Sequence, residues 1–312
     1  MKTLRISQFV LSPFVLLLCL MIGASLPLHA ESAGELKFRE VASFDGVPLN
    51  VVETGNPQGE PIVFLHGFSQ SYLSFLAQLQ DPQLRSRYRL VALDLRGHGA
   101  SGKPWLREAY AGHLPWARDV RAVVDALQLS APVIVGWSFG GFVAMDYVRE
   151  YGADSVTALL LTGSHGGLLP RPMGTPPVYV GDLDAAIRNA QQFMRLMSVK
   201  PVPAVDIQRG EFSHVMMPAY VRNAMSAKRL DNADLLATHA VRTLILLGEK
   251  DGSLPAAQIR DALRVNARIE VQILEGVGHS AFLEEPARFN RALAALADSA
   301  SSSARLRATP QR

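Results

Sequence analysis

The chain has almost no cysteine. Cys19 is the only one in 312 residues, and it lies in the N-terminal leader. The rest of the chain can form no disulfide, and zinc sites built on thiolates are excluded. Stability must come from a large apolar core, and about 280 residues after a leader suffice for one. An excess of one charge is also missing. The formal charge is +3, and it falls to +1 once Lys2 and Arg5 leave with the leader. That balance points to no nucleic-acid partner. No metal, nucleotide or flavin motif is present, so no cofactor is expected. There is no internal repeat.

The one long apolar run spans Phe9 to Ala24. It is short for a membrane span of about 20 residues, and Pro13 interrupts it. With Lys2 and Arg5 before it and Leu28-His29-Ala30 after it, this is the plan of a secretory signal peptide. Residues 1–30 are expected to be cleaved after Ala30, leaving a periplasmic or secreted protein without stable membrane insertion. Leu18 stands before Cys19 where a lipoprotein signal carries a small residue, so no lipidation is expected.

The most informative segment is Gly136-Trp137-Ser138-Phe139-Gly140. An apolar, β-branched run, Ala131 to Val135, precedes it, and a helical pattern follows from Phe142. A serine on a sharp strand-to-helix turn is a nucleophile elbow, and the flanking glycines let strand and helix pack closely. Alone, such a match is weak. Three other elements fall where the same chemistry needs them.

The strand Pro61 to Leu65 runs into His66-Gly67-Phe68. A loop after an early strand supplies one oxyanion-hole amide, and the residue after the nucleophile supplies the other. The candidate donors are the N–H groups of Phe68 and Phe139, with His66 bracing the loop. The strand Thr243 to Leu247 runs into Gly248-Glu249-Lys250-Asp251, where Asp251 is the candidate orienting carboxylate and Glu249 a solvated loop residue. The strand Ile269 to Leu274 ends in Gly276-Val277-Gly278-His279. The chain order Ser138, Asp251, His279 is that of a hydrolytic triad.

These motifs, with Asp94-Leu95-Arg96-Gly97-His98-Gly99-Ala100-Ser101, resemble the α/β-hydrolase superfamily from about Phe38 to Leu296. The resemblance implies an α/β-hydrolase fold: a mostly parallel eight-stranded sheet, helices on both faces, and an inserted helical cap. It also implies that the Asp94–Ser101 segment braces loops. Haloalkane dehalogenases and epoxide hydrolases are similar in fold but carry an aspartate at the elbow, so Ser138 points elsewhere.

The organisation expected is a leader (1–30), a first core part (31–164), a helical cap (165–240), a second core part (241–298) and a disordered tail (299–312). Helices are expected at 71–79, 116–127, 142–150, 182–197, 219–227 and 230–237. The insert is rich in Phe and Met, and Trp137, Phe193 and Met216 are the candidate substrate contacts. An apolar cap should favour uncharged acyl or aryl groups. The function expected is an exported serine hydrolase that cleaves small to medium carboxylic esters or lactones. Cofactor-free perhydrolysis of the haloperoxidase type and carbon–carbon bond hydrolysis remain open. So does a small-molecule receptor that keeps the triad.

Overall fold

Apolar runs rich in Val, Ile and Leu supply the strands. A computed structural model describes residues 35–170, 178–179 and 181–308, with side chains to residue 300. The strands are β1 (Lys37–Ala42), β2 (Pro48–Gly55), β3 (Glu60–Leu65), β4 (Tyr88–Leu93), β5 (Val133–Trp137), β6 (Ala158–Thr162), β7 (Thr243–Gly248) and β8 (Ile269–Leu274). They form one sheet in the order β1-β2-β4-β3-β5-β6-β7-β8. β2 pairs antiparallel with both β1 and β4, and every other pairing is parallel.

Parallel strands must be covered on both faces. Along β3, Val63 and Leu65 face one apolar layer while Ile62 and Phe64 face the other, as the two-residue strand period requires. The first layer is closed by α3 (Leu114–Ala126) and α4 (Phe139–Tyr151), through Trp116, Val120, Val143 and Tyr147. The second is closed by α9 (Ala281–Glu284) and α10 (Pro286–Ala308), through Phe282, Phe289 and Leu293. The short helices α1 (Leu76–Leu79) and α2 (Pro82–Arg87) and the later α8 (Ala256–Leu263) complete the core.

Between β6 and β7 lie α5 (Leu183–Met197), α6 (Ala204–Met216) and α7 (Ala219–Ala224). Among the described residues this insert contributes no strand to the sheet. The sequence reading missed α6. Pro201, Pro203 and Gly210 interrupt the helical pattern there, yet Pro203 stands at the N-cap position. A Cβ on Gly210 would sit 2.3 Å from Met194 Cε, so glycine here permits close packing of α5 on α6. The helix expected at 230–237 is reduced to one 3₁₀ turn, Ala233–Leu235.

The C-terminal expectation also needs correction. The backbone is helical to Ala308, through most of the tail read as disordered, and its alanines are strong helix formers. The leader and its cleavage position lie outside the described residues. Among the described residues no helix is long and apolar enough to cross a membrane.

Candidate active site

β3 and β5 are neighbours in the sheet, with Leu65 paired to Gly136. The loops at their carboxyl ends therefore leave the sheet side by side, where the strand order reverses direction. Such a switch point is where open α/β sheets hold ligands. Phe68 and Phe139 each stand three residues beyond that pair.

Ser138 has φ +50° and ψ −111°, a strained backbone for a residue with a Cβ. Its surroundings fix it there. Its N–H donates to the Thr162 carbonyl at 2.9 Å. A Cβ on Gly140 would sit 2.0 Å from the Leu65 carbonyl oxygen, and one on Gly136 would sit 2.7 Å from the Gly140 carbonyl oxygen. Strand, elbow and helix thus touch backbone to backbone. Ser138 is half-buried and starts α4, so the helix N-terminus faces the same point. Among the described residues neither the Phe68 nor the Phe139 N–H donates a hydrogen bond.

His279 Nδ1 lies 2.6 Å from Asp251 Oδ2. An ionised carboxylate only accepts, so Nδ1 carries a proton, and Nε2 is the nitrogen left to accept when the ring is neutral. Asp251 is fixed in turn by Ser253, whose N–H and hydroxyl donate to Oδ1 at 2.9 and 2.6 Å. Burial opposes the Asp251 charge, but the bonds from His279 and Ser253 outweigh it and hold the carboxyl below its usual value. The His279 ring packs on Gly163, where a Cβ would come within 3.0 Å of the ring. Gly163 follows Thr162, the acceptor for Ser138. One strand end therefore holds both residues.

The remaining expectations divide. Glu249 is exposed, and its Oε2 accepts from the Gly276 N–H at 3.0 Å. His66 is fully buried; Nδ1 donates to the Gly67 carbonyl at 2.8 Å and Nε2 accepts from Leu95 N–H at 3.0 Å. Asp94 accepts from Tyr72 N, Ala100 N and Asn50 Nδ2. Each is a loop brace.

Trp137 is a correction. It is 1% exposed, donates from Nε1 to the His279 carbonyl at 3.1 Å and packs on Phe282. A ring this deep positions His279 and is no substrate contact. Phe193 is half-buried with its ring 5.2 Å from that of His214. Met216 is half-buried at the end of α6. Phe212 is 59% exposed, outside any cap core. The insert is tied to the loop after β3 by polar bonds: Ser69 Oγ with His214 Nδ1 at 2.8 Å, and Ser71 Oγ with Ser213 Oγ at 2.7 Å.

This arrangement can be compared with known proteins. The model of the alpha/beta hydrolase family matches residues 62–292. The chain belongs to that family. This alpha/beta hydrolase is 30% identical to the AB hydrolase superfamily protein YisY of Bacillus subtilis, over 81% of its own length and 96% of that protein. It is 31% identical to a non-heme haloperoxidase of Rhodococcus erythropolis, covering 74% of this chain and 89% of that one. An esterase from Rhodococcus sp. ECU1013 superposes with a TM-score of 0.73 at 28% identity, covering 84% of this chain and 98% of the esterase. The protein is a hydrolase.

Three residues of this hydrolase escaped the sequence reading. Ser253 was invisible because a loop serine carries no signal until its carboxylate partner is known. Glu284 gave no signal of its own in the sequence. It is buried and accepts from Gly278 N at 3.0 Å and from Val199 and Lys200 N at 3.0 and 2.9 Å. It thereby joins the His279 loop to the end of α5. The third is Arg222, buried among the aromatic residues of the insert.

Proposed function

We propose that the protein is an exported serine esterase. Ser138 Oγ attacks the ester carbonyl, and His279 Nε2 takes its proton. Asp251 holds the ring and stabilises its charge as it becomes imidazolium. The oxyanion is received by the Phe68 and Phe139 N–H groups, and one such donor contributes about 3 kcal/mol. The imidazolium then gives its proton to the departing alcohol. Water, deprotonated by His279, releases the acid from the acyl-enzyme. The observation that carries this reading is the 2.6 Å Asp251–His279 pair, set beside a serine held at φ +50°.

The test is labelling and kinetics on protein lacking residues 1–30. A fluorophosphonate should modify Ser138, and Ser138→Ala should lower kcat for p-nitrophenyl esters by several orders of magnitude. Wild-type rates in that variant overturn the assignment. Export is checked by the N-terminus of protein recovered from the periplasm or medium, expected at Glu31. The haloperoxidase relative, at 31% identity, supports a second reading of the same acyl-enzyme. Hydrogen peroxide in place of water would release a peracid. Peracid formation from an ester and peroxide, absent in Ser138→Ala, tests it.

A further inference from the structure

The insert buries a cation without a counterion. Arg222, on α7, is 6% exposed. Its Nε donates to the Met217 carbonyl at 3.1 Å and its Nη2 to the His214 carbonyl. Its Nη1 is buried with no hydrogen-bond partner among the described residues. No carboxylate among them forms an ion pair with it. Residues 171–177 and 180, which lie outside the description, contain no Asp or Glu. Burial pushes the guanidinium down to about 10, so it is still a cation at neutral pH.

A buried charge is costly unless something pairs with it. A purely structural role, capping the end of α6 through two carbonyls, would use Nε and Nη2 and leave Nη1 idle. Arg222 lines a cavity of about 290 Å³ together with Tyr179, Asn189 and His214. Asp182, an exposed residue, also lines it and spends Oδ1 on the Asp184 N–H. The Arg222 Cζ lies 5.4 Å from the Tyr179 ring centre and 5.9 Å from that of Phe68. The Phe68 ring is in turn 6.4 Å from Phe139, the residue after Ser138. The Arg222 guanidinium and the Phe139 ring thus both lie beside the Phe68 ring.

We propose that Arg222 is a subsite for a carboxylate carried by the substrate, so that the preferred esters are anionic. The proposal rests on the esterase reading and replaces the expectation of uncharged substrates drawn from the apolar cap. A planar guanidinium matches a carboxylate in geometry, and a carboxylate is the charge-assisted partner that Arg222 lacks.

The experiment uses two isosteric pairs. Phenyl hydrogen glutarate against phenyl valerate places the carboxylate on the acyl side, and 4-acetoxybenzoate against its methyl ester places it on the leaving group. In wild type, kcat/KM should favour the anionic member of one pair by about 10- to 100-fold, the range of a hydrogen bond to a charged group. Arg222→Met should collapse that ratio, mainly through KM. Free glutarate should compete with the neutral ester on wild type. No preference in either pair overturns the proposal, as does a preference that survives Arg222→Met. Equal loss on both members also overturns it, because that is the result of a helix cap alone. If Arg222→Met does not fold, Arg222→Lys decides: the ratio must fall, and an unchanged ratio overturns the proposal. Binding of glutarate to Ser138→Ala protein, lost on adding Arg222→Met, supports the subsite even if no ester is hydrolysed. Failure of the esterase reading is thus separated from failure of this one.

Discussion

Trp137 Nε1 donates to the backbone carbonyl of His279 at 3.1 Å, so the residue before the proposed nucleophile holds the main chain of its proposed base. The end of β5 and the loop of His279 are 142 residues apart in sequence, and the indole is the strut between them. Trp137→Phe keeps most of the ring and removes the bond. Kcat should fall about 10- to 100-fold, the cost of a small displacement in a catalytic geometry. KM should change little, because the buried ring cannot reach substrate. Steady-state kinetics check this, and a change confined to KM contradicts it.

Ser253 is expected to act through Asp251. Removing its hydroxyl takes away one of the bonds that hold the Asp251 carboxyl low. A carboxyl depressed in the folded state stabilises the fold above its unfolded value, and that stabilisation is lost as pH falls through the folded value. Ser253→Ala should therefore be less stable than wild type at pH 7, and the gap should close toward pH 3. Its kcat should also drop, while Ser253→Thr, which keeps a hydroxyl, should restore both. Urea unfolding at the two pH values gives the answer. A gap that does not change with pH removes Ser253 from the Asp251 network.

The fold was legible because strand periodicity and loop glycines are local signals. Val133 to Val135 must be buried on both faces, and Gly136 and Gly140 have no room for a Cβ. Ser138, Asp251 and His279 stand out in the sequence because each follows the end of a strand, and the structure pairs Asp251 with His279. What escaped depends on contacts between distant segments. Trp137 looked like a pocket residue because sequence shows neither Phe282 nor the His279 carbonyl against it. Arg222 looked like one more basic residue on a helix, since only the packing of Phe68 and Tyr179 reveals that it is buried without an acid.

Gly163 separates activity from stability. It has φ +55°, and a Cβ there would sit 2.7 Å from the His279 carbonyl oxygen and 3.0 Å from its ring. Gly163→Ala should lose stability by about 1–2 kcal/mol from the left-handed backbone, and more from the clash. Kcat should drop more than tenfold as the ring is displaced. Gly152 supplies the control. It also has positive φ, +78°, but a Cβ there meets nothing within 4 Å. Gly152→Ala should lose stability and keep its kcat. Equal kcat in the two variants would mean that Gly163 does not set the position of His279.

Buried histidines should dominate the acid side of stability. Burial lowers His66, His98 and His239 below 6.5, and it brings His214, with Arg222 near it, down to about 3. A histidine lowered in the folded state binds its proton more readily when unfolded. Its contribution to stability is complete above about pH 6.5 and declines as pH falls below it. Each such group adds a slope of at most about 1.4 kcal/mol per pH unit. Carboxylates held low act in the same direction but only near their own lower range, and Asp119, raised by burial, acts in the opposite direction, so the window of pH 4.5 to 6.5 is read as a difference between variant and wild type. His98 is the one to remove. It is fully buried, its Nε2 has no partner among the described residues, and its ring lies among His66, Phe68 and Phe139. His98→Phe gives up one bond to the Arg96 carbonyl and fits the aromatic surroundings. Its unfolding free energy should depend on pH less steeply than wild type across that window, by up to one group's slope. Denaturant unfolding at four pH values measures both curves, and parallel curves would show that His98 already carries its proton in the folded protein.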